Sequence, residues 1–180
     1  MEKVSKHYLY HMVPSDMQGD TLHPLTELAE KHPDLYIKYA AKYKGREHVT
    51  QKMIATLDAG WNDVLHLSPI PPAELKKALV EAGMAPEEMR FYQIDPELLD
   101  PEKTTIYLYH ADSKGRVVSD QQFTKFEPTQ LAQHAAIPDL TKARYREDIA
   151  HGHRPLFFVG IPHVLHKGSI DVSSLPVIIV

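Results

Sequence analysis

Apolar residues recur in two rhythms along this chain: alternation over short runs, and spacings of three and four over longer ones. Residues 8–13, YLYHMV, alternate and are dense in aromatic and β-branched side chains, which predicts a strand. Tyr8, Tyr10 and Met12 then share one face, and Leu9, His11 and Val13 the other. PSDMQGD follows as a turn-rich loop. Residues 24–43 predict a helix kinked or split at Pro33. Its second part carries Leu35, Tyr36, Tyr39, Ala40 and Tyr43 at helical spacing, and Gly45 can end it. Residues 46–57 predict another helix, with Val49, Met53, Ile54 and Leu57 on a stripe. WNDVLHL, residues 61–67, predicts a strand that stops at Ser68 and Pro69. Regular alternation puts Asn62 and His66 on one of its faces, and Trp61 and Asp63 on the other. Residues 72–83 give the clearest helix, with Leu75, Ala78, Leu79 and Ala82 on one stripe and Gly83 as its stop.

In the second half, RFYQI (90–94) and TIYLYH (105–110) predict strands joined by a loop rich in Pro and Asp. ADSKGR predicts a turn that returns the chain as a hairpin through Val117 and Val118. Residues 128–135 and 141–152 predict helices. PLFFVG, PHVLH and PVIIV predict short strands, so the tail reads as the closing strands of a single sheet. The order is strand, helices, strand, helix, then mostly strands with late helices. That order is α+β and lacks the regular alternation of a doubly wound sheet. The expectation is one α+β domain over residues 1–180, with a central mostly antiparallel or mixed sheet and flanking helices.

Hydrophobic content of 43% and charged content of 24% suit a soluble globular chain able to bury a core. A net charge of -4 gives no general footprint for nucleic acid, although a local basic patch stays possible. The chain has no Cys, so neither disulfides nor thiolate chemistry enter. The first residues have no long apolar segment, and no stretch approaches the ~20 apolar residues that span a bilayer. The expectation is a cytoplasmic protein with no membrane partner; the oligomeric state is open.

No phosphate-binding loop, dinucleotide fingerprint or nucleophile elbow occurs, and the eight Gly are dispersed. Chemistry therefore falls to the 12 His. His163 and His166 would point to opposite faces of a strand, and Gly152 makes a loop of the His151–His153 pair. None of these spacings matches a known metal motif. A His-based metal-dependent hydrolase drawing on His11, His66, His163 and His166 is one alternative reading. His11 sits mid-strand on a face that reads as buried, where an imidazole needs a partner or lines a cleft. Ser68 reads either as a turn residue before Pro69 or as part of a site. Lys42, Lys44 and Arg46 form a basic group in KYKGREH, suited to a phosphate or to a solvated face. The nine Tyr, several of them between Tyr36 and Tyr43, would also suit a non-enzymatic interaction surface.

Several pieces also line up in order with a known family. LYHMVPSDM, with Tyr10 and His11, resembles the opening strand of ADP-ribosyltransferase-fold proteins, and most of all the DNA-targeting DarT type of toxin. Arg46 falls where that type has an NAD-contacting Arg. VLHLSPIPPAEL, FYQIDPELLD and the tail PHVLHKGSIDVSSLPVIIV are similar to its later strands and closing segment. The resemblance covers most of the chain in short pieces. It implies an ADP-ribosyltransferase-like fold, NAD as cofactor, and transfer of ADP-ribose, to a nucleic-acid base in the DarT type. His11 would then contact the nicotinamide ribose, Arg46 a phosphate, and Tyr10 would belong to the same cofactor site. The family's closing segment carries a catalytic Glu, and the best-matching position is His163. An imidazolium there would oppose the positive charge that develops on the ribose. A divergent transferase, a nucleotide binder without transferase activity, and an unrelated α+β protein all remain open. The first two predict that His11, Arg46, Ser68 and His163 converge on one cleft.

Overall fold

A computed structural model of the chain describes residues 6–109 and 120–180. In chain order its strands are β1 Leu9–Met12, β2 Thr21–Leu22, β3 Met53–Ile54, β4 Ala59–Gly60, β5 Val64–Leu67 and β6 Arg90–Ile94. The rest are β7 Thr104–Tyr107, β8 Phe123–Lys125, β9 His163–Lys167, β10 Ile170–Asp171 and β11 Val177–Ile179. The α-helices are α1 Leu25–Lys31, α2 Pro33–Ala40, α3 Glu47–Thr50, α4 Pro72–Glu81 and α5 Asp139–Ala150. The chain is α+β, as its order of elements implies.

Among the described residues the strands do not form one sheet. β10-β2 and β3-β4 are two-stranded pairs, and the rest divide between a three-stranded sheet, β1-β6-β11, and a four-stranded sheet, β5-β9-β7-β8. Every pairing in both is antiparallel. Among the described residues, a single bridge joins them: the Tyr10 N–H donates to the Ser68 carbonyl at 2.8 Å, and the Ser68 N–H to the Tyr10 carbonyl at 2.9 Å. Pro69 has no N–H and Pro14 follows β1, so neither strand offers the donors to extend this ladder. The tail is split accordingly. Its β9 joins the four-stranded sheet, β10 pairs with β2, and β11 joins β6.

Alternation along β1 and β6 separates two cores. Leu9, Tyr92 and Ile94 pack with Leu65, Leu67, Ile106, Phe126 and Val164 between the sheets. Tyr10 and Phe91 pack on the other side, with Leu75 and Leu79 of α4 and Tyr145 of α5. A third cluster, Ile54, Leu57, Val64, Tyr107, Phe123 and Leu165, backs the four-stranded sheet. Burying each such side chain stabilises the fold by roughly 1.5–3 kcal/mol before conformational entropy is counted.

Helix ends follow local chemistry. The 24–43 stretch splits as expected, because the residue before a proline is pushed out of the helical region. His32 accordingly has φ -141° and ψ 71°, and Pro33 opens α2 at a position that needs no N–H. A 3-10 turn, Ala41–Tyr43, continues it. Helix α4 ends with Gly83 at φ 105°, and the Gly83 and Met84 N–H groups return to the Val80 and Leu79 carbonyls.

Four local expectations fail. Residues 46–57 are not one helix: α3 ends at Thr50, and Met53–Gly60 is a hairpin turning through a 3-10 segment and Asp58 at φ 45°. Residues 155–160 form turns rather than a strand. Their carbonyls are claimed by side chains of α5, with Thr141 Oγ1 donating to Val159 O at 3.0 Å and the Tyr145 hydroxyl to Phe157 O. Trp61 lies in a turn before β5, so its ring reaches the same side as His66. Residues 128–134 are a 3-10 rather than an α-helix. His110 and the hairpin through Val117 and Val118 lie outside the described residues. No helix among the described residues is long and apolar enough to cross a membrane.

Candidate functional site

Three strands each deliver one histidine to one place. His11 comes from β1, His66 from β5 and His163 from the first position of β9. All three border a cavity of about 420 Å³, roofed by α1, α2 and the segment that follows α2. That volume lies in the range of small-ligand sites. Arg46 and Lys42 reach it from the turn after α2, and Trp61 and Asn62 from the turn before β5. The expected meeting of His11, Arg46 and His163 is therefore present.

Ser68 and Tyr10 do not reach this cavity. They line a smaller one of about 180 Å³, which the same three histidines also border. Ser68 is buried and its Oγ accepts the Ile70 N–H at 3.1 Å, which ties the turn before α4. Tyr10 points with alternation into the α4–α5 core, and its hydroxyl pKa is raised by burial.

The tautomers of the three imidazoles follow from their partners. A carbonyl only accepts, so the bonded ring nitrogen carries the proton. His11 Nδ1 donates to Met12 O at 2.7 Å, His163 Nδ1 to Ile161 O at 2.6 Å, and His66 Nε2 to Trp61 O at 3.0 Å. The second nitrogen of each ring is left as an acceptor. Removal from water lowers all three pKa values. His66 falls to about 3, with repulsion from His163, Lys42 and His11 added to its burial. At neutral pH the trio is uncharged.

Lys42 and Arg46 supply the positive charge. Lys42 remains accessible, yet its ammonium is partly withdrawn from water and beside Arg46, and both effects lower its pKa. Arg46 Nη2 donates to Lys42 O at 2.8 Å, which fixes the turn that carries both. Among the described residues, no Asp or Glu lines the cavity.

One wall is aromatic. The Trp61 ring lies 4.6 Å from that of His66 and 5.4 Å from that of Tyr107. Lys52 covers Trp61 at 5.0 Å, and Tyr43 bonds its indole. Tyr39 and Tyr43 line the cavity instead of presenting an outer surface, while Tyr36 stays exposed. The Tyr39 hydroxyl and the Lys38 ammonium both bond Asp16, which ties the loop after β1 to α2. Burial, and after it that bond, push the Tyr39 hydroxyl up to about 12. Asn62 Oδ1 is buried without a partner, an acceptor in the wall that a ligand donor would satisfy.

The metal reading loses its geometry here. Among the described residues, no group of three or more His, Asp or Glu is disposed to hold a metal ion. His166 points to the opposite face of β9 from His163 and bonds Thr104 Oγ1 at 2.9 Å. The rings of His66 and His163 meet edge to face with centroids 6.1 Å apart.

Sequence reasoning singled out His11, Arg46 and His163. It missed the roles of Asn62, Trp61 and Tyr43. The shared face of Asn62 and His66 was the usable signal, and the turn at Trp61 was not foreseeable from alternation. No family model matches this chain, and no curated protein or solved structure does either.

Proposed function

We propose that this chain binds a phosphorylated nucleotide of the NAD type in the large cavity. One observation carries the reading: Lys42 and Arg46 stand at a cavity with the neutral imidazoles of His11, His66 and His163, an aromatic wall and, among the described residues, no carboxylate. Phosphate groups suit the cations, and a flat base suits Trp61 and Tyr43. The resemblance of the Tyr10–His11 strand, Arg46 and the tail to ADP-ribosyltransferases supports the same ligand class. Antiparallel sheets meeting at one bridge are compatible with that fold. Transfer by the family's mechanism would lack its carboxylate, because His163 stands at the matching position and no Asp or Glu among the described residues lines the cavity. The reading is therefore binding first, with transfer as a further question.

Calorimetric titration tests it, with NAD, ADP-ribose and AMP run beside the His11→Ala variant. Micromolar binding by at least one nucleotide, weakened at least about tenfold in the variant, is the expected result. No heat with any of them up to millimolar concentration would end the reading.

A further inference from the structure

The cavity carries two polarities that restrict its ligand beyond the nucleotide class. The first is charge. Among the described residues, Lys42 and Arg46 are its cations, and the imidazoles of His11, His66 and His163 are neutral. Three carboxylates on the surrounding segments are held by other side chains and amides, one of them, Glu27, on the cavity-lining His23. Asp16 holds Lys38 and Tyr39, Glu27 holds His23 and Ser169, and Asp63 takes the Gly60 N–H and the Thr26 hydroxyl. A cationic ring entering the cavity would meet the positive charge of Lys42 and Arg46 and, among the described residues, no carboxylate in the lining.

The second polarity is in hydrogen bonding. His11, His66 and His163 each spend their one N–H on a backbone carbonyl and are left as acceptors. Asn62 Oδ1 adds a buried acceptor without a partner. A ligand that fits must bring donors to this wall, and a buried acceptor left unpaired would count against it.

We propose, resting on the nucleotide reading above, that the cavity takes ADP-ribose in preference to oxidised NAD. The two ligands share the diphosphate that would meet Lys42 and Arg46. They differ at the far end. ADP-ribose ends in a ribose with free hydroxyls, which are uncharged donors. Oxidised NAD carries there a pyridinium whose ring nitrogen is positive; its carboxamide N–H groups and remaining ribose hydroxyls are also donors, so charge is what separates the two ligands. Reduced NAD separates the two effects, because it keeps the ring and loses the charge.

Trp61 is the single Trp and lines the cavity, so its fluorescence reports occupancy by ADP-ribose and oxidised NAD; calorimetry covers all three ligands. ADP-ribose and reduced NAD should both bind at least about tenfold more tightly than oxidised NAD. Oxidised NAD binding as tightly as the other two, or more so, overturns the inference and leaves the nucleotide reading standing. Binding by none of the three removes both. Asn62→Asp sets a carboxylate in the wall; it should weaken ADP-ribose and narrow its advantage over oxidised NAD. An unchanged ratio in a folded N62D variant counts against the charge argument. Should that variant fail to fold by circular dichroism, the ligand series on the unaltered chain decides alone.

Discussion

The imidazole of His66 is held neutral to about pH 3, and this ties stability to acidity. In the unfolded chain the same group titrates near 6.5. Between those values the unfolded state binds a proton that the native state refuses, so stability falls as pH drops below about 6.5. For His66 alone the loss from pH 7 to pH 5 is about 2 kcal/mol. His11, His163 and His166 are lowered in the same direction and add to it. Denaturant midpoints at the two pH values should show this drop, and His66→Asn should reduce it. A midpoint independent of pH would mean that these rings are well hydrated. The cations act on the ligand instead. Lys42→Ala should weaken binding of the anionic nucleotide about tenfold and flatten its salt dependence. Arg46→Lys keeps the charge but loses the bond to the Lys42 carbonyl, so a similar loss there would point to the position of the turn. Titration at two salt concentrations separates the two cases.

Elements whose fate is decided by their own residues were legible. Helix α4 carries a clean apolar stripe and a glycine stop, and His32 before Pro33 breaks the long helical stretch where the chain itself demands it. Strand β1 shows the same, because alternation alone separates Leu9 from Tyr10 and turns His11 to the cavity. Elements decided by distant partners were not legible. Val49, Met53, Ile54 and Leu57 fit a helical stripe, yet the Met53–Gly60 hairpin buries Ile54 and Leu57 in the third core. PLFFVG has strand composition, but two side chains of α5 take its carbonyls before any strand can. Gly160 makes that turn feasible. It has φ 71°, and a Cβ placed there would lie 2.7 Å from Thr141 Oγ1. Gly160→Ala should therefore destabilise the protein by about 1–3 kcal/mol in thermal or denaturant unfolding. A neutral effect would show that the turn relaxes without loss. The candidate site divides along the same line: the strand histidines could be read from the sequence, whereas the wall made by Trp61 and Asn62 depends on a turn and on the packing of α2.

At the scale of the molecule, the cavity sits where the two sheets meet. Among the described residues, one bridge, Tyr10 to Ser68, ties β1 to the residue after β5, and both strands send a histidine into the cavity. The roof is a separate unit of α1, α2 and the basic turn, tied down in part by Asp16 to Lys38 and Tyr39. A ligand that touches His11, His66 and Lys42 would join both sheets and the roof at once, and such contacts exist only in the folded chain. Binding must then raise the unfolding free energy by about 2.7 kcal/mol at a hundredfold excess over Kd. For a chain of 180 residues this corresponds to a rise in Tm of roughly 5–10 °C. A thermal melt with ADP-ribose, oxidised NAD and inorganic phosphate measures it directly. The nucleotide should give the full rise and phosphate a smaller one, since phosphate engages Lys42 and Arg46 but leaves the histidine wall untouched. An equal rise with phosphate alone would reduce the site to an anion site on the roof. Loss of the rise in Lys42→Ala, with the melting of the unliganded chain unchanged, would place the effect in the cavity and not in the general charge of the surface.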